Sequence, residues 1–383
     1  MNEVRSLITN SANTTFTYEE NSDKKMCRFG FYTKMLLWQK ITFWACIALF
    51  IVIFLAFVII WVIFPLVFMN QISIQRFFIF FNFNDPKNPD FNHPENYGYK
   101  GVANFYLTTK NSKDDELLSI GAWLLIPDSE INNTVIRAHN AETVSELLQN
   151  TKYPIVLYLH GVACNRIKPM ETYKVLRKKF MLVAVDHRGY GDSGPNVPPS
   201  EEGIVNDTVQ IYKWIRSHTK NDIYVWGHSL GGALAVHSVK RLKLENIIPM
   251  GLILESTFTT IREEIPATQI GKMFSWLLWF EATVLNPLEK NGFHFKSTTN
   301  ILDVDCPIMH LHAQDDFVIP WTLGKKLIDV AINEREIPPQ GNVTYHIFGK
   351  LGYGHTGLTS DSNIPKFIDE FIGLCRDQNK QKG

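Results

Sequence analysis

The sequence is poor in the features that mark several large protein classes. Its 38 basic and 38 acidic side chains cancel, so no charge excess favours nucleic acid as a partner. Its five cysteines (Cys27, Cys46, Cys164, Cys306 and Cys375) show no CxxC or other metal-type spacing. Odd in number and widely scattered, they do not make a disulfide framework. They leave room for one bridge among the last three in an oxidising compartment. No internal repeat or low-complexity block is present, which argues against a repeat architecture. The most telling absence is local: from Ile41 to Gln75 there is no charged residue at all.

Between Ile41 and Met69 only Thr42 and Pro65 fall outside the hydrophobic set. A bilayer-crossing helix needs about 20 apolar residues, so 41–69 is predicted to span a membrane. The run exceeds a signal-peptide core and follows a 40-residue tail, 1–40, which argues against cleavage. Lys24, Lys25, Arg28, Lys34 and Lys40 precede it, whereas only Arg76 and Lys87 follow before residue 90. That bias predicts a cytosolic N-terminus and everything after the span on the far side. The glycosylation sequons at Asn132, Asn206 and Asn342 suit such a domain, while the one at Asn13 would stay unmodified. Residues 70–97 read as a juxtamembrane segment that continues the helix or lies in the interface, then a Pro- and Asn-rich linker.

From about Gly98 to residue 378, short apolar runs alternate with longer helix-like windows. The runs are Gly121–Ile126, Ile155–Leu159, Met181–Val185, Ile223–Trp226, Leu252–Leu254, Ile308–Leu311 and Thr344–Phe348. Such alternation predicts an α/β domain, a mostly parallel sheet with helices on both faces and ligands at the strands' carboxyl ends. Ile223–Ala235 carries G-x-S-x-G as Gly227-His228-Ser229-Leu230-Gly231, between a β-rich run and a helix. This is the nucleophile elbow of the α/β-hydrolase fold. The strained turn is expected to hold the Ser229 hydroxyl exposed above the sheet, and the flanking glycines relieve crowding.

A serine hydroxyl needs a base, and in this fold the acid and the histidine follow the serine. The loop HAQDDFVIP resembles the HGxxDxxVP pattern of hydrolases, which aligns the acid with Asp316 rather than Asp315. His355, 39 residues later and last of the histidines, is the expected general base. His346, inside a strand, is expected to face packing or solvent. The oxyanion hole is expected from the backbone N–H groups of Leu230 and of Val162, in LHGVACNR. Cys164 reads as a wall residue. Gly191-Asp192-Ser193-Gly194-Pro195 imitates a chymotrypsin-type active serine, but its α/β context and chain order make Ser193 structural.

YLHGVACNR, VAVDHRGYGDSG, VWGHSLGG, LILESTFTTIREE, LHAQDDFVIP and LGYGHTG together make the chain resemble the lysophosphatidylserine lipase and monoacylglycerol lipase family (α/β-hydrolase domain-containing protein 12-like). The resemblance implies a single-pass endoplasmic-reticulum membrane enzyme with a lumenal domain, acting on lysophospholipids or monoacylglycerols. The N-terminal 40 residues carry no such likeness, and VACNR is bulkier than a glycine-rich oxyanion loop. A cap insertion is expected over about 258–299, where Phe274–Leu285 reads as an aromatic-rich helix that packs on the core, lines an acyl pocket or dips into the bilayer. Neither metal nor organic cofactor is expected, because a Ser–Asp–His triad needs none. Two other readings stay open: a protein acyl-thioesterase with the same triad, and a catalytically silent scaffold on a hydrolase fold.

Overall fold

The computed structural model describes residues 33–382 apart from 112–114, 135, 137, 195–196 and 337–338. Asn13, Cys27 and the basic residues Lys24, Lys25 and Arg28 therefore lie outside the described residues. The chain forms two compact units, Met1–Val67 and Phe68–Gly383. The apolar run lies in a 38-residue helix, Thr33–Asn70, and none of its most apolar stretch is buried in protein. At 1.5 Å per residue this helix is about 57 Å long, well over the roughly 30 Å of bilayer hydrocarbon. It starts eight residues ahead of the predicted span. Ile59–Ile63 is wound as π-helix just before Pro65. A proline removes one helical N–H and crowds the carbonyl four residues back, so the register loosens there.

After a break at Gln71, which adopts an extended conformation, helix α1 (Ile72–Phe80) begins. It neither continues the span nor lies free: Gln75, Ile79 and Phe80 are buried, while Phe77 and Phe78 are exposed. The Gln75 amide donates to Phe68 O at 2.7 Å, and its Oε1 accepts from Asn291. The stretch read as a linker is also packed in the second unit. Phe91 is buried, its carbonyl accepts the Trp123 indole N–H at 2.9 Å, and Asn92 accepts from Asn104. Its asparagines make tertiary hydrogen bonds, Asn84 donating to Gly191 O at 3.2 Å and Asn92 accepting from Asn104, so the stretch is no mobile tether.

Eight strands form one sheet in the order β1-β2-β4-β3-β5-β6-β7-β8. They are β1 (Val102–Lys110), β2 (Leu117–Leu125), β3 (Ile155–Leu159), β4 (Met181–Val185), β5 (Ile223–His228), β6 (Gly251–Glu255), β7 (Ile308–Ala313) and β8 (Val343–Phe348). The β1–β2 and β2–β4 pairs are antiparallel and all the others parallel. Strands covered on both faces read as unbroken apolar runs, which is why β3 and β4 match the predicted runs residue for residue.

Side chains alternate between the two layers. Ile155, Leu157, Ile223 and Val225 face one layer, with α2 (Ala141–Asn150), α4 (Glu201–His218), α5 (Leu230–Leu244) and α6 (Trp321–Glu334). Val156, Tyr158, Tyr224 and Trp226 face the other, with α3 (Met170–Leu176) and α7 (Ile364–Lys382). The cap region holds short helices at Ile261–Ala267 and Gln269–Phe274 and a π-turn at Glu281–Leu285, so Phe274–Leu285 is not one helix. Leu277 and Phe280 point inward, whereas Trp276 and Leu278 are exposed. No disulfide joins Cys164, Cys306 and Cys375.

Candidate active site

Ser229 follows β5 directly and occupies the cap position of α5, with φ 55° and ψ −122°. That left-handed backbone is strained for a non-glycine residue and persists only where packing enforces it. The enforcement is visible in its neighbours. A Cβ on Gly227 would stand 2.4 Å from Gly231 O, and one on Gly231 only 2.1 Å from Leu159 O. Both glycines are thus required for the close approach of α5 to the ends of β5 and β3. The Ser229 N–H donates to Glu255 O at 2.8 Å, and Thr257 Oγ1 donates to Ser229 O at 3.0 Å. Asn140 and Ser200 cap α2 and α4 with their side chains, but Ser229 makes no such bond to its own helix. The first N–H groups of α5 stay available for an anion.

The Ser229 hydroxyl points instead to His355, whose Nε2 lies 3.0 Å from Oγ. His355 Nδ1 lies 2.7 Å from Asp316 Oδ2. The carboxylate can only accept, so Nδ1 carries the proton and Nε2 is free to take one from the serine. Burial lowers the His355 pKa, which the Asp316 carboxylate partly offsets, and the ring is neutral near pH 7. Burial opposes ionisation of Asp316, but hydrogen bonds from His312 and His355 outweigh it and hold the carboxyl well below its usual range. Its other oxygen accepts the N–H groups of Val318 and Ile319, each at 2.9 Å. The structure therefore brings Ser229, Asp316 and His355 together. It departs from expectation in one respect, because Ser229 is only 4% exposed.

Asp315 does not touch the imidazole. It accepts the N–H groups of Gly352 and Gly354 at 2.5 and 3.1 Å, tying down the loop that carries His355. His228 Nε2 donates to His355 O at 2.9 Å and fixes the same loop from the elbow side. His346 stacks on Phe367 with ring centroids 3.8 Å apart. Ser193 is buried, and its hydroxyl accepts the Gly121 N–H at 2.9 Å, a structural role in the loop after β4.

The loop after β3 passes beside Ser229: a Cβ on Gly161 would come within 3.0 Å of Ser229 Cβ. Val162 follows, partly exposed, and Leu230 opens α5. Two buried histidines brace this loop. His160 Nδ1 donates to Gly161 O at 2.7 Å while its Nε2 accepts the His187 N–H at 3.3 Å. His187 Nε2 in turn donates to His160 O at 2.9 Å. Burial pushes the His160 pKa far down and that of His187 to about 4, so both rings are neutral, as this bonding pattern requires. Cys164 is half-buried in the same loop, its thiol pushed up to about 12 by burial, and is no nucleophile.

Residues 151–300 match the family described as serine aminopeptidase, S33. Over most of its length the chain is similar to three vertebrate proteins named lysophosphatidylserine lipase ABHD12. The Xenopus tropicalis protein is 32% identical, with 94% of this chain and 90% of the relative covered. The Rattus norvegicus protein is 34% identical over 79% of this chain and 74% of the relative. The Danio rerio protein is 33% identical over 78% and 77%. The chain belongs to the lysophosphatidylserine lipase ABHD12 family.

Membership of the ABHD12 family makes the chain a serine ester hydrolase on an α/β-hydrolase fold, and its N-terminal apolar helix is a candidate membrane span. Four histidines of this ABHD12-family site escaped sequence reasoning as supports: His160, His187, His228 and His312. His312 Nε2 is shared between Asp316 Oδ2 at 3.2 Å and Ile319 O at 3.1 Å, a second imidazole on the same carboxylate oxygen. The only signal for it was its place at the head of the HAQDD loop. Of the three sequons, Asn132 and Asn342 are exposed. Asn206 is not a free acceptor: it lies half-buried within α4 and its amide donates to Lys110 O at 2.8 Å.

Proposed function

We propose that this ABHD12-family chain hydrolyses the acyl ester of single-chain lipids, such as lysophosphatidylserine, other lysophospholipids or monoacylglycerol. Ser229 is the nucleophile, His355 the general base and Asp316 the group that orients it. The observation that carries this reading is the Ser229–His355–Asp316 hydrogen-bond chain in a protein whose relatives are named lysophosphatidylserine lipases.

Ser229 Oγ attacks the ester carbonyl as its proton passes to His355 Nε2, leaving an oxyanion on the former carbonyl oxygen. The N–H groups of Val162 and Leu230 receive that charge; a donor of this kind is worth about 2.7–4 kcal/mol. Collapse expels the glycerol hydroxyl, which takes the proton from His355 and leaves an acyl-Ser229. Water, deprotonated by His355, then attacks the acyl carbon and releases fatty acid. Asp316 stays ionised throughout and stabilises the imidazolium without accepting its proton.

The reading puts the domain in the endoplasmic-reticulum lumen, supported by the basic residues before the span and by exposed sequons at Asn132 and Asn342. Full-length protein in microsomes is expected to release fatty acid from lysophosphatidylserine and monoacylglycerol, and Ser229→Ala to abolish both. Wild-type turnover in that variant would end the proposal. In the same membranes endoglycosidase is expected to remove mass; loss of that shift in Asn132→Gln/Asn342→Gln would assign it to these two sites, whereas an unshifted wild type would favour a cytosolic active site and an acyl-protein substrate.

A further inference from the structure

Helix α1 carries an arginine that the catalytic apparatus does not use. Arg76 lines a cavity of about 310 Å³ together with Ser73, Phe77, Asn82, Gly189 and the 197–199 stretch. Among the described residues, no carboxylate lines this cavity and Arg76 makes no hydrogen bond or ion pair. Its Nε is buried without an acceptor. Burial leaves that one donor unsatisfied, and the partly buried guanidinium has no counter-charge beside it among the described residues.

The cavity is built rather than incidental. Asn82 is fixed by its amide donating to Gly189 O. Gly189 has φ +77°, and a Cβ there would stand 2.7 Å from the Pro199 ring, so a side chain would occupy this space. On the other side of Phe77 the surface is aromatic, with Phe78, Phe81 and Phe83 all exposed. Arg76 lies six residues after Asn70, the last residue of the apolar helix. Even fully extended, six residues reach only about 20 Å, so Arg76 stays within that distance of the end of the apolar helix.

We propose that this cavity binds the phosphate of a phospholipid, with Arg76 as its counter-ion and the exposed phenylalanines against the glycerol and acyl portion. A planar fork of N–H donors matches phosphate oxygens, the Ser73 hydroxyl adds a donor, and aromatic rings favour the interfacial layer. The phosphate comes either from a bilayer phospholipid or from the headgroup of a lysophospholipid substrate. The second source rests on the lipase function proposed above; the first does not.

The test is binding of glycerophosphoserine, which has the phosphodiester and no acyl ester, to delipidated full-length protein in dodecyl maltoside. Saturable binding is expected for wild type and for Arg76→Lys. In Arg76→Gln affinity should fall at least about tenfold, the size of one lost charge-assisted hydrogen bond. Equal affinity in wild type and Arg76→Gln, with both variants folded by thermal unfolding, overturns the proposal, as does the absence of binding to wild type. This assay needs no turnover, so it is read independently of whether the protein proves to be a lipase. KM then separates the sources. A rise in Arg76→Gln for lysophosphatidylserine alone assigns the phosphate to substrate, and an equal rise for monoacylglycerol in phosphatidylserine vesicles assigns it to the bilayer.

Discussion

The two halves of the site are held by different physics. At the elbow, Ser229 is fixed by backbone sterics: Gly227 and Gly231 leave no room for a methyl group, and β5 and α5 are rigid elements on either side. At the far side, His355 sits on a loop beyond β8 and is held by polar contacts, from Asp315 to two loop N–H groups and from His228 to its own carbonyl. A steric constraint fails abruptly when violated, because interiors are close-packed. A hydrogen-bonded loop loses alignment in increments. Changes at the elbow should therefore cost folding, and changes around the His355 loop should cost rate.

The largest effect on stability is expected from Gly231→Ala. Its new methyl would collide with Leu159 O, a backbone atom of the central sheet, and overpacking of this kind costs about 1–3 kcal/mol or more. Thermal unfolding should show a lowered midpoint, and fluorophosphonate labelling should vanish with it. Near-normal unfolding would break the contrast. Asp316→Asn should do the reverse, losing about 10⁴-fold in kcat from a misoriented imidazole while the fold persists. Smaller again is Asp315→Ala, which frees the Gly352 and Gly354 N–H groups. About a tenfold drop in kcat is expected with little change in unfolding midpoint, since these contacts lie at a partly exposed loop. A drop as large as that of Asp316→Asn would mean that Asp315 belongs to the chemistry itself.

Where tertiary context adds little, the fold was readable. The buried parallel strands announced themselves as apolar runs, and G-x-S-x-G between a strand and a helix located the turn. Strand β1 was not legible, because VANFYLTTK mixes buried apolar positions with threonines and a lysine at the sheet's edge. Nor was the packing of the Pro- and Asn-rich stretch around Phe91, whose composition signals turns while its partners lie in β1 and β2. In the site, chain order pointed to Ser229, Asp316 and His355. The roles of Asp315 and His312 depend on which neighbour each carboxylate oxygen or ring nitrogen meets, and no spacing encodes that.

The relay from Ser229 to His355 is tested most directly by the pH dependence of fluorophosphonate labelling, with the labelled residue mapped by mass spectrometry. The base works only when neutral, and burial lowers its pKa from the ordinary value of 6.5, so reactivity should persist as pH falls through 6.5 and be lost only below it. The expected result is a single adduct on Ser229, with its acid limb under pH 6.5 and absent in His355→Ala. An adduct elsewhere, or labelling of Ser229 that is unchanged in His355→Ala, would contradict the account.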